Sequence, residues 1–155
     1  MAHLSPIPGG LRPGLSIRVR GQAIPAGDRF AINLQSGPAS DSATIALHFS
    51  VRLNQGYVAR NSKRHGTWEQ EIGDGPLLIH KGQPFDILIR VDPDRYIVEI
   101  NGQFFCDFPH RIPFTTVDHI QVSGDVRVSG VTFETRAHGP GAGFHNVTHT
   151  TYRNF

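Results

Sequence analysis

One cysteine, Cys106, stands in the 155 residues, so the chain cannot close an internal disulfide. It also lacks an apolar run of membrane-spanning length and a signal peptide with a charged start and an apolar centre. A reducing compartment and no membrane insertion are the expectations. Charge of one sign is scarce too: the formal net charge is +2, and although the pI is near 9.0 the basic residues are dispersed among acids and apolar positions. That dispersion argues against nucleic acid as a partner. The one local basic cluster, Lys63-Arg64-His65, precedes Gly66 and reads as a solvated turn. Nine histidines form no zinc-type cluster, and His138, His145 and His149 support at most adventitious metal binding. Neither a metal nor a cofactor is expected.

Helical spacing of apolar residues is nearly absent, and no internal repeat is visible, which argues against propellers and solenoids. What is present is a rhythm of short stretches rich in Val, Ile and Phe about every ten residues, separated by Gly, Pro, Asn and Asp. It predicts strands at 15–20, 29–35, 44–52, 57–61, 85–91, 96–100, 104–108, 119–122 and 126–134. The fold class is therefore all-β, an antiparallel two-sheet β-sandwich. Phe30, Ile32 and Leu34 alternate onto one face of their strand, as a half-buried strand requires. Asp92-Pro93-Asp94 separates two strands, and Asn101-Gly102 is a hairpin signal that pairs 96–100 with 104–108. After residue 136 a Gly/Pro/His-containing stretch leads into a polar tail. Residues 1–136 are thus expected to form the domain, and 137–155 a linker or tail that suits a second domain in a longer parent chain.

His48, Ser50 and Arg52 stand two apart, so all three project from one strand face, roughly 6.6 Å between neighbours. Leu47, Phe49 and Val51 then point to the core. Imidazole, hydroxyl and guanidinium in one row supply donors and acceptors in fixed directions, which suits a ligand with many hydroxyls, a sugar. The chain's single tryptophan, Trp68, follows closely. An exposed indole packs on the apolar face of a pyranose, which galactose presents because its axial hydroxyl gathers the polar groups opposite. Asn61 and Glu71 are suited to bonding hydroxyls, and an Arg52–Glu71 pair would hold both groups in place.

These blocks, His48-Phe49-Ser50-Val51-Arg52, Arg60-Asn61-Ser62 and Trp68-Glu69-Gln70-Glu71, resemble the signature of the galectins. Flanking text agrees over about residues 5–136, notably Asp28-Arg29-Phe30, Val98-Glu99-Ile100-Asn101-Gly102 and Phe108-Pro109-His110-Arg111. The resemblance implies a jelly-roll sandwich of the galectin and legume-lectin kind and a lectin for β-galactosides of the lactose and N-acetyllactosamine type. It also allows a place as the N-terminal domain of a tandem-repeat galectin. Carried over by position, His48, Ser50 and Arg52 would grip the axial 4-hydroxyl of galactose, Asn61 and Glu71 the 6-hydroxyl, and Trp68 would stack beneath the ring. Arg52 and Glu71 would reach the next sugar. Partners would be galactose-containing glycoproteins and glycolipids, engaged through a homodimer or a second lectin domain. The resemblance further implies cytoplasmic synthesis with extracellular export lacking a signal peptide.

The sequence departs from that pattern. Ser50 replaces the usual Asn, Val51 a Pro, Glu69 a Gly, Gly73 a basic residue and Ala59 a Val. Shortening the group at 50 and removing the charge at 73 would together cost roughly 1–3 kcal/mol, about tenfold or more in affinity. The alternative function is thus a galectin-like protein-interaction module with weak, altered or lost sugar binding. Singly, His48 reads equally as a structural hydrogen-bonder, Trp68 as core and Arg60 as a solvated strand residue. It is the joint spacing that favours a binding site. Cys106 reads as a buried inert thiol, and Asn146-Val147-Thr148 as an unused glycosylation acceptor. Glycoside hydrolysis needs two carboxyl groups flanking the scissile bond, whereas Glu69 and Glu71 would approach from one side. No catalytic residues, and no enzyme, are expected.

Overall fold

Alternating apolar residues with turn residues between them can bury one face of each strand only by stacking two sheets. A computed structural model describes residues 3–136 and 147–152, with side chains for 3–135. The strands are β1 (His3–Pro6), β2 (Leu15–Ala23), β3 (Arg29–Gln35), β4 (Ile45–Arg52), β5 (Tyr57–Arg64), β6 (Thr67–Trp68), β7 (Pro84–Val91), β8 (Arg95–Ile100), β9 (Gln103–Pro109), β10 (His119–Gly124), β11 (Val126–Arg136) and β12 (Val147–Tyr152). A short 3-10 turn, Phe114–Thr116, precedes β10. One sheet runs β1-β10-β3-β4-β5-β6 and the other β12-β11-β2-β7-β8-β9. Every ladder is antiparallel.

Between the sheets lie Phe30, Ile32 and Leu34 of β3 and Leu47, Phe49 and Val51 of β4, facing Ile17, Val19, Ile87, Ile89, Tyr96 and Val98. Full burial of one such side chain contributes about 1.5–3 kcal/mol. An exposed ion pair contributes about 0–1 kcal/mol. The sandwich is therefore held by its interior. On the outer face of the second sheet the charges are largely matched, Arg18 with Asp86 and Glu134 and Arg90 with Glu99.

The two-sheet sandwich read from the sequence is the fold found, and all nine expected strands are present. Asn101 and Gly102 both carry positive φ, 51° and 80°, the backbone of a tight primed turn between β8 and β9. Three strands escape the apolar rhythm. β1 has four residues and contains Pro6, and β6 has only two. β12 falls inside 137–155, expected as linker or tail, and its backbone pairs with β11 from Arg136↔Val147 to Val131↔Tyr152. The readings placed on His138, His145 and Asn146 lie outside the described residues.

Candidate functional site

Strand alternation turns His48, Ser50 and Arg52 to the outer face of the first sheet, as their spacing requires. The ladders then decide their neighbours. His48 stands between Asn33 of β3 and Asn61 of β5, Ser50 between Ala31 and Ala59, and Arg52 between Arg29 and Tyr57. Small residues thus floor the middle of this face, with His48 and Asn61 on one side and Arg52 and Tyr57 on the other. Trp68, paired with Lys63 at the sheet edge, stands beside His48, ring centroids 4.7 Å apart at 55°. Lys63 Nζ lies 5.4 Å from the indole centroid, and the side chain is 47% exposed, a large aromatic left partly open to solvent.

Each polar group has a fixed orientation. His48 Nδ1 donates to Asn33 Oδ1 at 2.6 Å, which fixes the ring and leaves Nε2 as an acceptor. Asn61 Oδ1 accepts from the Ser62 amide at 2.8 Å and Arg111 Nη1 at 3.2 Å, while its Nδ2 donates to the Glu69 carbonyl at 3.2 Å and keeps one further N–H. Arg52 Nη2 donates to Glu71 Oε1 at 3.1 Å and Nη1 to the Tyr57 hydroxyl at 2.6 Å. Tyr57 in turn donates to Glu71 Oε2 at 3.1 Å. The expected Arg52–Glu71 pair is formed. Ser50 joins the row but is recessed, 3% exposed, with only a 3.5 Å contact from Arg52 Nε.

β6 ends at Trp68, so Glu69 and Glu71 do not share a regular strand face as supposed. Glu69 turns to Ser62 Oγ at 2.6 Å and Arg64 Nε at 3.3 Å, and the Ser62 hydrogen bond first, with Arg64 next among the lowering causes, holds its carboxyl below the usual range. Glu71 turns to Arg52. Arg60 is a correction: expected in solvent, it is 4% exposed, because it stands opposite core residue Phe49 and its guanidinium bonds the Val58 carbonyl and Asp74. Cys106 is a free buried thiol, pushed up to about 11 chiefly by burial. Among the described residues no three His, Cys, Asp or Glu side chains are grouped to hold a metal.

The sequence reading missed Asn33, Tyr57 and Arg111 as parts of this cluster. The four-residue turn Leu53-Asn54-Gln55-Gly56 carried the signal for Tyr57, since closing it as a hairpin sets Tyr57 opposite Arg52. Asn33 follows from Phe30, Ile32 and Leu34 pointing inward. Arg111 is distant in sequence and its signal lay only in the flanking text.

Burial, then the charge of Arg52, lowers the His48 pKa from 6.5 to about 4, with Glu71 opposing and Lys63 adding a smaller push. Because the folded value lies below the unfolded one, folded protein binds fewer protons between pH 6.5 and about 4, and stability falls as pH drops through that window. The expected loss is roughly 2–3 kcal/mol at its acid end. His3, also lowered by burial, acts in the same direction. The measurement is therefore a difference: His48→Gln should flatten the fall in urea midpoint across that window, and an unchanged slope would contradict a buried neutral imidazole.

A family model described as Galactoside-binding lectin matches residues 2–133. Human galectin-7 is 36% identical over 129 residues, covering 83% of this chain and 94% of that protein. Bovine galectin-4 is 37% identical over 135 residues, covering 86% of this chain and 40% of that protein. A 32 kDa beta-galactoside-binding lectin of Haemonchus contortus is 38% identical over 122 residues, covering 78% and 43%. The chain thus spans about two-fifths of the length of these last two relatives. Among solved structures, a variant of human galectin-16 superposes with a TM-score of 0.78 at 30% identity, covering 86% of this chain and 94% of that one. Sheep galectin-11, at 23% identity, shares the fold with a TM-score of 0.77 over 84% and 96%. By matching the family model over most of its length, the chain belongs to the galectins, the galactoside-binding lectins, a family of non-enzymatic sugar-binding proteins.

Proposed function

We propose that the outer face of β4, β5 and β6 binds β-galactoside glycans of the lactose and N-acetyllactosamine type. The observation that carries this is the half-exposed Trp68 ring beside polar groups that keep unused hydrogen-bonding capacity, His48 Nε2 and one N–H of Asn61 among them. In this reading the indole packs under the apolar face of galactose, excluding water from C–H groups that gain little from it. The 4-hydroxyl donates to His48 Nε2 and accepts from Arg52. Asn61 Nδ2 and the Glu71 carboxylate serve the 6-hydroxyl, one as donor and one as acceptor. Ser50, recessed in the floor, reaches a sugar only through water. Binding is stoichiometric and turns nothing over.

Affinity at one such shallow, wet site is modest, so avidity comes from a second site. Residues 1–136 act as the binding domain, with β12 along its edge strand and the rest of 137–155 as linker or tail. The second site is supplied by a further lectin domain or a homodimer. The length of the galectin-4 relative, of which this chain covers 40%, supports the former. The partners are galactose-terminated glycoproteins and glycolipids. The chain is made in the cytoplasm, where a buried free thiol needs no oxidant, and meets them after export.

Trp68 is the only tryptophan, so its emission reports on this face alone. Lactose is expected to shift and quench it in a saturable way, whereas maltose, which lacks galactose, does not. No response to lactose or to a panel of galactose-terminated glycans would replace this reading by the alternative, a galectin-like module working through protein contacts. The recessed hydroxyl of Ser50 is the observation that favours that alternative.

A further inference from the structure

Past Arg52 and Glu71 the site ends on a neutral aromatic group. The Tyr57 hydroxyl accepts from Arg52 Nη1 at 2.6 Å and donates to Glu71 Oε2 at 3.1 Å, and the guanidinium carbon lies 5.3 Å from the ring centroid. A phenol has one proton and two lone pairs. These two bonds use its donor and leave one lone pair, so a ligand meets a single acceptor and the ring's C–H surface. The ring also shapes what lies beside it. A Cβ at Gly73 would stand 2.9 Å from Tyr57 Cδ2 and Cε2, well inside carbon contact distance. Gly73 is not among the glycines with positive φ, so the missing side chain there makes room for the ring and is not demanded by the backbone.

We propose that Tyr57, seated against Gly73, determines what the site accepts beyond the first sugar. It selects a neutral second sugar that gives a hydroxyl proton to the phenol oxygen and lays C–H groups on the ring. An acidic substituent is disfavoured there, because Arg52, the cation bonded to the phenol, is already paired with Glu71 at 3.1 Å. The inference rests on the galactoside reading above and adds the residue that sets its specificity.

The test compares two affinities of the full chain by titration calorimetry, for methyl β-galactoside as a one-sugar probe and N-acetyllactosamine as a two-sugar probe. Tyr57→Ala is expected to reduce the two-sugar advantage, the ratio of the two affinities, about fivefold, beyond any common shift of both affinities that it causes through Arg52 and Glu71. Gly73→Ala should do the same by displacing the ring, and should add nothing in the Tyr57→Ala background, where no ring remains to displace. Tyr57→Phe keeps the packing and loses the bridge, so it carries the test should an alanine variant fail to fold, with an expected loss of about threefold. An unchanged ratio in the tyrosine variants, or effects of the two sites that simply multiply, overturns the role of Tyr57 alone. A parent chain that binds neither probe overturns the galactoside reading and this inference with it.

Discussion

Trp68→Ala eliminates retention on lactose-agarose and weakens lactose binding by about a hundredfold, while thermal melting moves by no more than a few degrees. The size follows from area. An indole buries roughly 150–250 Å² when fully covered, and about half of that is open to a ligand here, so a sugar seated on it removes about 100 Å² from water. At about 25 cal/mol per Å² this is about 2.5 kcal/mol, close to the energy of a hundredfold change. A neutral polar contact of the face, netting about 0.5–1.5 kcal/mol, does not match it, and a contact to charged Arg52 or Glu71, at about 1.5–3 kcal/mol, only equals it. The folded state loses little, because the side chain is 47% exposed and leans only on His48 and Lys63 at the sheet edge. Trp68→Phe keeps part of the platform and should fall between. Retention of the alanine variant, still eluted by lactose, would put the sugar on another surface.

The outward row was legible because strand period alone fixes it: three polar side chains two apart, with Leu47, Phe49 and Val51 between, admit one arrangement, whereas Trp68 was legible only through its spacing to that row. The hairpin at Asn101-Gly102 was legible for the same local reason. What a linear reading loses is whatever depends on register and on short irregular segments. Two-residue β6 has no period to detect, and after it the chain turns Glu69 towards Ser62 and Glu71 towards Arg52, so two carboxylates expected to approach from one side become two separate anchors. Tyr57 became part of the site only through its cross-strand partner. Arg60 is the instructive error. With Asn61 assigned to the binding face, alternation already turned Arg60 inward, and the general tendency of arginine to lie in solvent outweighed that local evidence.

Arg60→Met should lower stability by about 2–3 kcal/mol, whereas Asp74→Asn should change it by less than about 1 kcal/mol, although the two residues form one ion pair at 2.7 Å. Their surroundings differ. The Arg60 side chain is 4% exposed and Asp74 86%, so a freed carboxylate simply returns to water. The carbonyls of Val58 and Asp74, which Arg60 Nη1 reaches at 2.8 and 2.7 Å, lose a charged donor instead. Methionine refills the volume and keeps contact with the Phe105 ring, over which the guanidinium now lies at 5.0 Å, so the measured cost isolates the lost hydrogen bonds. The same change reaches the binding face. Arg60 exchanges backbone hydrogen bonds of 2.8 Å with Ile72 and pins Asp74 beyond it, so it fixes the segment that carries Glu71. Lactose affinity is expected to fall about threefold in Arg60→Met and to stay within about 1.5-fold in Asp74→Asn, where the carbonyl bond survives. Urea denaturation and calorimetry on both variants decide this. Equal losses of stability would make the ion pair the important contact, and full stability in Arg60→Met would mean that the guanidinium only fills space between β5 and the segment above it.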